Sequence, residues 1–146
     1  MYKSLGKLTV LFSLLLAFVS ARAADGTTKP AVQARQEMEA RSAEIYTHAM
    51  NASNAASHYA EQQVAAGKKE YVIVAQSCAD CADMAGMAAK FTARNSPMAG
   101  QAREAFAMCC DHTVAELEKL NDPELTACME ACKSAGKDCR DMQKVR

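Results

Sequence analysis

The chain has 146 residues, balances 17 basic against 17 acidic side chains, and is half hydrophobic with no tryptophan. That length holds one ordinary domain with enough apolar chain for a core. The absence of a basic run or an aromatic platform argues against nucleic acid as a partner, and nothing points to an anionic membrane surface.

The first element in chain order is "MYKSLGKLTVLFSLLLAFVSARAADG": Lys3 and Lys7, an apolar run from Leu8 to Val19, then Ala21-Arg22-Ala23. The charged start, short apolar centre and small-x-small end predict a secretory signal over residues 1–23, cleaved after Ala23. The run is too short to span a bilayer, so no membrane association is expected after cleavage. Without a twin-arginine pair, the expected route is general secretion of an unfolded chain into the periplasm. Loss of Lys3, Lys7 and Arg22 leaves 14 basic and 17 acidic residues in the remaining domain, 24–146.

Turn and cap residues divide that domain into four helices. Lys29-Pro30 opens the first, with proline at the tolerated N1 position, and Gly67 closes it. This segment is long enough to break near "NASN", Asn51 to Asn54. Asn51-Ala52-Ser53 also matches a glycosylation sequon, for which chance is the better explanation. The second helix is expected from Glu70 to Arg94; "YVIV", Tyr71 to Val74, has strand propensity but stands alone in an alanine-rich run. Ser96-Pro97 starts a third helix reaching Leu120. Asp122-Pro123-Glu124 repeats the device and starts a fourth, ending near Lys144. Helices of similar length with short connections predict an all-α, antiparallel four-helix bundle.

A helix face turned toward a bundle core repeats with alternating steps of three and four. In the fourth helix Leu125, Cys128, Cys132, Ala135, Cys139 and Met142 follow that rhythm. In the second, Val74, Cys78, Cys81, Ala85, Ala88 and Thr92 do the same. In the third, Cys109 and Cys110 straddle a stripe of Phe106, Thr113, Leu117 and Leu120. At least three helices thereby bring sulfur to the same interior, and the sequence holds seven cysteines in all. Isolated buried cysteines pack as small hydrophobes, but three helices with paired thiols favour metal binding, ahead of structural disulfides and well ahead of inert packing.

Soft thiolate and thioether donors select Cu(I). Structural zinc wants four ligands converging from CxxC knuckles, whereas this chain has one CxxC, Cys78 to Cys81, and otherwise mid-helix cysteines. Met84 and Met87 continue "CADCADMAGM" in steps of three, and Met108 and Met142 adjoin cysteines. Met129 lies off the seam and reads as filler. His58 and His112 are further candidates at an open end of the bundle. Thioredoxin-like chemistry would need a βαβ rhythm that the chain lacks, haem attachment would need CxxCH where residue 82 is alanine, and no activated nucleophile or phosphate loop is visible. No enzyme signature is found.

"CADCADMAGMAAKFTARNSP", "CC" at 109 and 110, "EKLNDPELTACMEACKSAGKDCRDM" and, more loosely, "SHYAEQQVAAGKK" together resemble the cysteine-rich four-helix-bundle copper-binding proteins, the bacterial copper storage proteins, over about Ala55 to Met142. The resemblance implies many Cu(I) ions bound by core cysteines, here Cys78, Cys81, Cys109, Cys110, Cys128, Cys132 and Cys139, and frequent assembly as homo-oligomers. It also carries His58 over as a candidate ligand. Ala55, Tyr59 and Ala135 stand where the family has further cysteines, and Leu120 where it has a histidine, implying a smaller store. Two alternatives stay open: an exported helical module with oxidised cysteines, and a redox or zinc site at Cys78 and Cys81 alone.

Overall fold

In the computed structural model, residues 29–144 are described. Among them are four long helices and no strand: α1 Lys29–Ala65, α2 Val72–Ala93, α3 Ala99–Leu120 and α4 Thr126–Lys144, with short 3-10 turns at Lys69–Tyr71 and Pro123–Leu125. The predicted leader, 1–23, lies outside the described residues. The chain divides into two compact units, Met1–Arg35 and Gln36–Arg146. Of the first, only the opening turns of α1 are described. The core and all seven cysteines lie in the second.

Cross-helix contacts fix the direction of each neighbour. Ser57 on α1 donates to the Ala75 carbonyl of α2 at 3.0 Å, while the earlier Met50 lies against the later Gly86, where a Cβ would come within 3.1 Å of its sulfur. Arg103 and Thr113 of α3 donate to the Thr92 hydroxyl and the Ser77 carbonyl at 3.3 and 3.0 Å. Asp111 and Glu118 of α3 pair with Arg140 and Lys133 of α4 at 3.0 and 3.1 Å. Tyr46 and Tyr59 of α1 reach Asp138 of α4 and Asp122 just before it, at 2.8 and 2.9 Å. In each pair one number rises as the other falls, so each helix runs antiparallel to its sequence neighbour, and α4 to α1.

Helix ends follow local chemistry. After α1, Gly67 adopts φ 91°, its N–H reaching the Val64 carbonyl and that of Lys68 the Gln63 carbonyl, a Schellman closure. Asn95 does the same for α2 at φ 50°, with Asn95 and Ser96 N–H groups on the carbonyls of Thr92 and Phe91. That closure occupies the residues expected to begin the third helix. Ser96 therefore accepts from the Met98 N–H at 3.2 Å in a preceding turn, and α3 begins at Ala99. The second and fourth helices likewise begin a few residues late, because 3-10 turns occupy Lys69–Tyr71 and Pro123–Leu125. Asp122 is the expected cap, accepting from the Glu124 N–H at 3.0 Å. The expected break at Asn51 to Asn54 does not occur: α1 is continuous, with Asn51 and Asn54 exposed and Ser53 inside.

Asp122 also ties one end of the bundle together, since one of its oxygens accepts from both Tyr59 and Tyr71 at 2.9 and 2.8 Å. Burial opposes its ionisation, but the bonds from Tyr71, the Glu124 N–H and Tyr59 hold its carboxyl below the usual carboxylate value. The same bond, with burial, pushes the Tyr71 phenol up to about 12 and raises Tyr59. A depressed acid contributes stability above its unfolded value of about 4, lost as pH falls through its folded value. Raised phenols contribute below about 10, lost as pH rises through theirs. Asp122→Ala is expected to cost about 1 kcal/mol at neutral pH, mostly the lost cap, and to flatten both pH limbs. Urea denaturation across pH measures this; unchanged limbs would contradict it.

Candidate metal centre

The two predicted sulfur seams lie inside. Val74, Cys78, Cys81, Ala85, Ala88 and Thr92 of α2 are each at most 2 % exposed, as are Leu125, Cys128, Cys132, Ala135 and Cys139 before and along α4. On α3 the buried stripe runs Arg103, Phe106, Cys110, Thr113 and Leu117. Cys109 sits half-buried at its margin. The fourth wall, from α1, is Tyr46, Ala49, Ser53, Ala56 and Ala60, with the same alternation of three and four. A core made largely of alanine and cysteine leaves the sulfurs little separation.

At the middle of the bundle Cys81 of α2, Cys110 of α3 and Cys132 of α4 bring their sulfurs within 4.8 Å of one another. Cys81 and Cys132 are 3.6 Å apart. A thiolate–metal bond near 2.3 Å places sulfurs about 4 Å apart around a trigonal ion and about 4.6 Å apart across a linear one. The trio therefore fits a two- or three-coordinate soft ion with sub-ångström adjustment. Cys132 continues the file to Cys128, and Cys128 to Cys78. The Ser53 hydroxyl stands 3.7 Å from both Cys128 and Cys132. All seven cysteines are free thiols.

The thiols share protons unequally. Hydrogen bonds from Cys109, Cys110 and Cys132 push Cys81 down, and bonds from Cys132 and Cys78 lower Cys128. Their donors are raised: Cys78 by its bond to Cys128, Cys109 by its bond to Cys81, and Cys132 by its bonds to Cys110, Cys128 and Cys81, each with burial adding. A cation bound among these sulfurs would take the place of the shared thiol protons.

Below the trio the chemistry changes. Cys139 is fully buried, and burial pushes its thiol up to about 11. Beside it, Tyr46 is held as a neutral phenol, chiefly by burial, and donates to Asp138 at 2.8 Å. Tyr46 also meets Phe106 edge-on, ring centres 5.5 Å apart. Arg103 is 4 % exposed; among the described residues its Nε has no partner, and its guanidinium donates to the Thr92 hydroxyl at 3.3 Å. Among the described residues no carboxylate pairs with it.

The other candidate ligands lie away from the trio. Met84 is half-buried against the core, while Met87 is 43 % exposed in a groove with Met50 and Phe91. His58 is exposed, 3.1 Å from Gln62 and 4.0 Å from Glu61, and His112 is exposed on α3. Of the non-cysteine positions, Tyr59 belongs to the Asp122 network and Ala135 fills the core between Cys132 and Cys139. Ser53 and Arg103 were not among the predicted site residues. Their seam spacing could have revealed both, but a hydroxyl and a guanidinium read as surface groups.

Four antiparallel helices whose shared interior carries clustered thiols from three of them define a soft-metal-binding bundle. This chain belongs to the copper storage protein family, whose family model matches residues 35–144. No curated protein and no solved structure matches it.

Proposed function

We propose that this protein binds several Cu(I) ions as thiolate complexes along its bundle core, for copper storage or detoxification in the periplasm. The observation that carries the reading is the convergence of Cys81, Cys110 and Cys132 from three helices to within 4.8 Å. Six cysteines are buried and the seventh half-buried, so the principal ligands are Cys78, Cys81, Cys110, Cys128, Cys132 and Cys139, with Cys109 at the margin. Met84, Met87, His58 and His112 fit transient capture better than storage, since three of the four are exposed. The predicted leader supports the periplasmic assignment, which a single cleavage after Ala23 in the exported protein would test.

Loading needs no redox step: each participating thiol gives its proton to solvent and forms one sulfur–copper bond. Anaerobic titration against a chromophoric Cu(I) chelator is expected to show more than one tightly held ion per chain. Uptake below one ion per chain would contradict the reading. Because the ions bind the folded state, loading with Cu(I) at 100 times its dissociation constant is expected to stabilise the fold by about 2.7 kcal/mol per site. Calorimetry of apo and loaded protein measures this, and coincident melting curves would oppose it.

A further inference from the structure

We propose that Ser53 is a positioning residue of the metal centre: its hydroxyl, set against the sulfurs of Cys128 and Cys132, donates a hydrogen bond to the thiolates that hold Cu(I) there. This rests on the copper-binding reading and goes beyond it by giving α1, the one long helix without a cysteine, a part in the site.

Ser53 occupies a core position. It stands in the inward file of α1 with Tyr46, Ala49, Ala56 and Ala60 and is 0 % exposed. A hydroxyl enclosed in an apolar core is costly unless it finds a partner, and alanine would fill the place without that cost. Serine and threonine inside a helix often bond back to the carbonyl one turn earlier, as Thr47 does to Ala43 at 2.8 Å. Ser57, one turn further on, crosses to a backbone acceptor, the Ala75 carbonyl of α2, at 3.0 Å. Ser53 instead faces two sulfurs of α4, Cys128 and Cys132, each at 3.7 Å, a separation that suits the large sulfur atom. One oxygen on α1 thus touches two members of the sulfur file, and one of these, Cys132, belongs to the central trio.

In the metal-free protein either side can donate: a thiol proton can point at the serine oxygen, or the hydroxyl at a sulfur. Binding a soft cation removes that choice. Each coordinating thiol gives its proton to solvent, and a thiolate can only accept, so the hydroxyl must turn to donate. A hydrogen bond to an ionised acceptor is stronger than one between neutral groups, and the gain falls on the loaded state. A neutral hydroxyl oxygen is too hard a donor to compete with thiolate for Cu(I). Ser53 therefore acts through the thiolates and does not join them as a ligand.

The test compares full-chain wild type, Ser53→Ala and Ser57→Ala by chelator competition for Cu(I) and by thermal melting without copper. Ser53→Ala is expected to bind its tightest Cu(I) about 10- to 100-fold more weakly, as for loss of an outer-shell partner. Without copper it is expected to melt at or above wild type, since alanine is the better helix former and the sulfurs left behind are weak hydrogen-bonding groups. Ser57→Ala removes a buried hydroxyl that bonds to backbone and not to sulfur, and is expected to keep wild-type affinity. Wild-type affinity in Ser53→Ala, an equal loss of affinity in Ser57→Ala, or failure of apo Ser53→Ala to fold would each overturn the inference. A wild-type chain that takes up no Cu(I) would overturn the copper-binding reading together with it.

Discussion

Cys132→Ala is expected to lower the affinity for the tightest Cu(I) ion by more than about 100-fold, exceeding what an outer-shell partner contributes. Cys132 is the hub of the file: its sulfur is 3.6 Å from Cys81, groups with Cys110, and shares the Ser53 hydroxyl with Cys128. Its removal separates Cys128 and Cys78 from Cys81 and Cys110. Alanine already fills Ala131 and Ala135 on the same helix, so the fold should survive. His112→Ala and Met87→Ala, at exposed positions, are the controls and should leave the tightest site intact. Chelator competition on the three variants measures the effect; wild-type affinity in Cys132→Ala would remove the trio from the account.

The largest expected loss of stability comes from Phe106→Ala. Most of the core is alanine and cysteine, and only a few large side chains, among them Tyr46, Phe106 and Leu125, are fully enclosed. Phe106 meets Tyr46 edge-on, which adds about 1 kcal/mol to its burial. Truncating it removes that contact and opens a cavity that short neighbours cannot fill, so a cost of about 4 kcal/mol is expected. Domains of this size hold only about 5–15 kcal/mol in total. Urea denaturation of the apo protein measures the difference, and a loss below about 1 kcal/mol would mean that the bundle repacks around the gap.

Much of this arrangement was legible in the chain. The seams of α2 and α4 show because their cysteines and alanines recur at alternating steps of three and four, and all of those positions except Met142 are at most 2 % exposed. The inward face of α1 was not read, because serines at 42 and 53 interrupt its apolar signal. Arg103 was missed for a related reason: charge normally marks the outside of a helix, and only the surrounding packing reveals one at a core position. Helix starts were placed early at Ser96 and Pro123 because a cap and a proline serve a single turn as well as a helix. The left-handed Asn95 that closes α2 displaces the start of α3 to Ala99. Convergence of Cys81, Cys110 and Cys132, as opposed to their common facing, depends on the register between helices, which no single helix encodes.

The most direct test is the anomalous copper signal in crystals of the Cu(I)-loaded protein. The account predicts copper on the bundle axis between the sulfurs of Cys81, Cys110 and Cys132, with further ions toward Cys78 and Cys128. Copper confined to exposed methionine or histidine side chains, with the core thiols unligated, would contradict it.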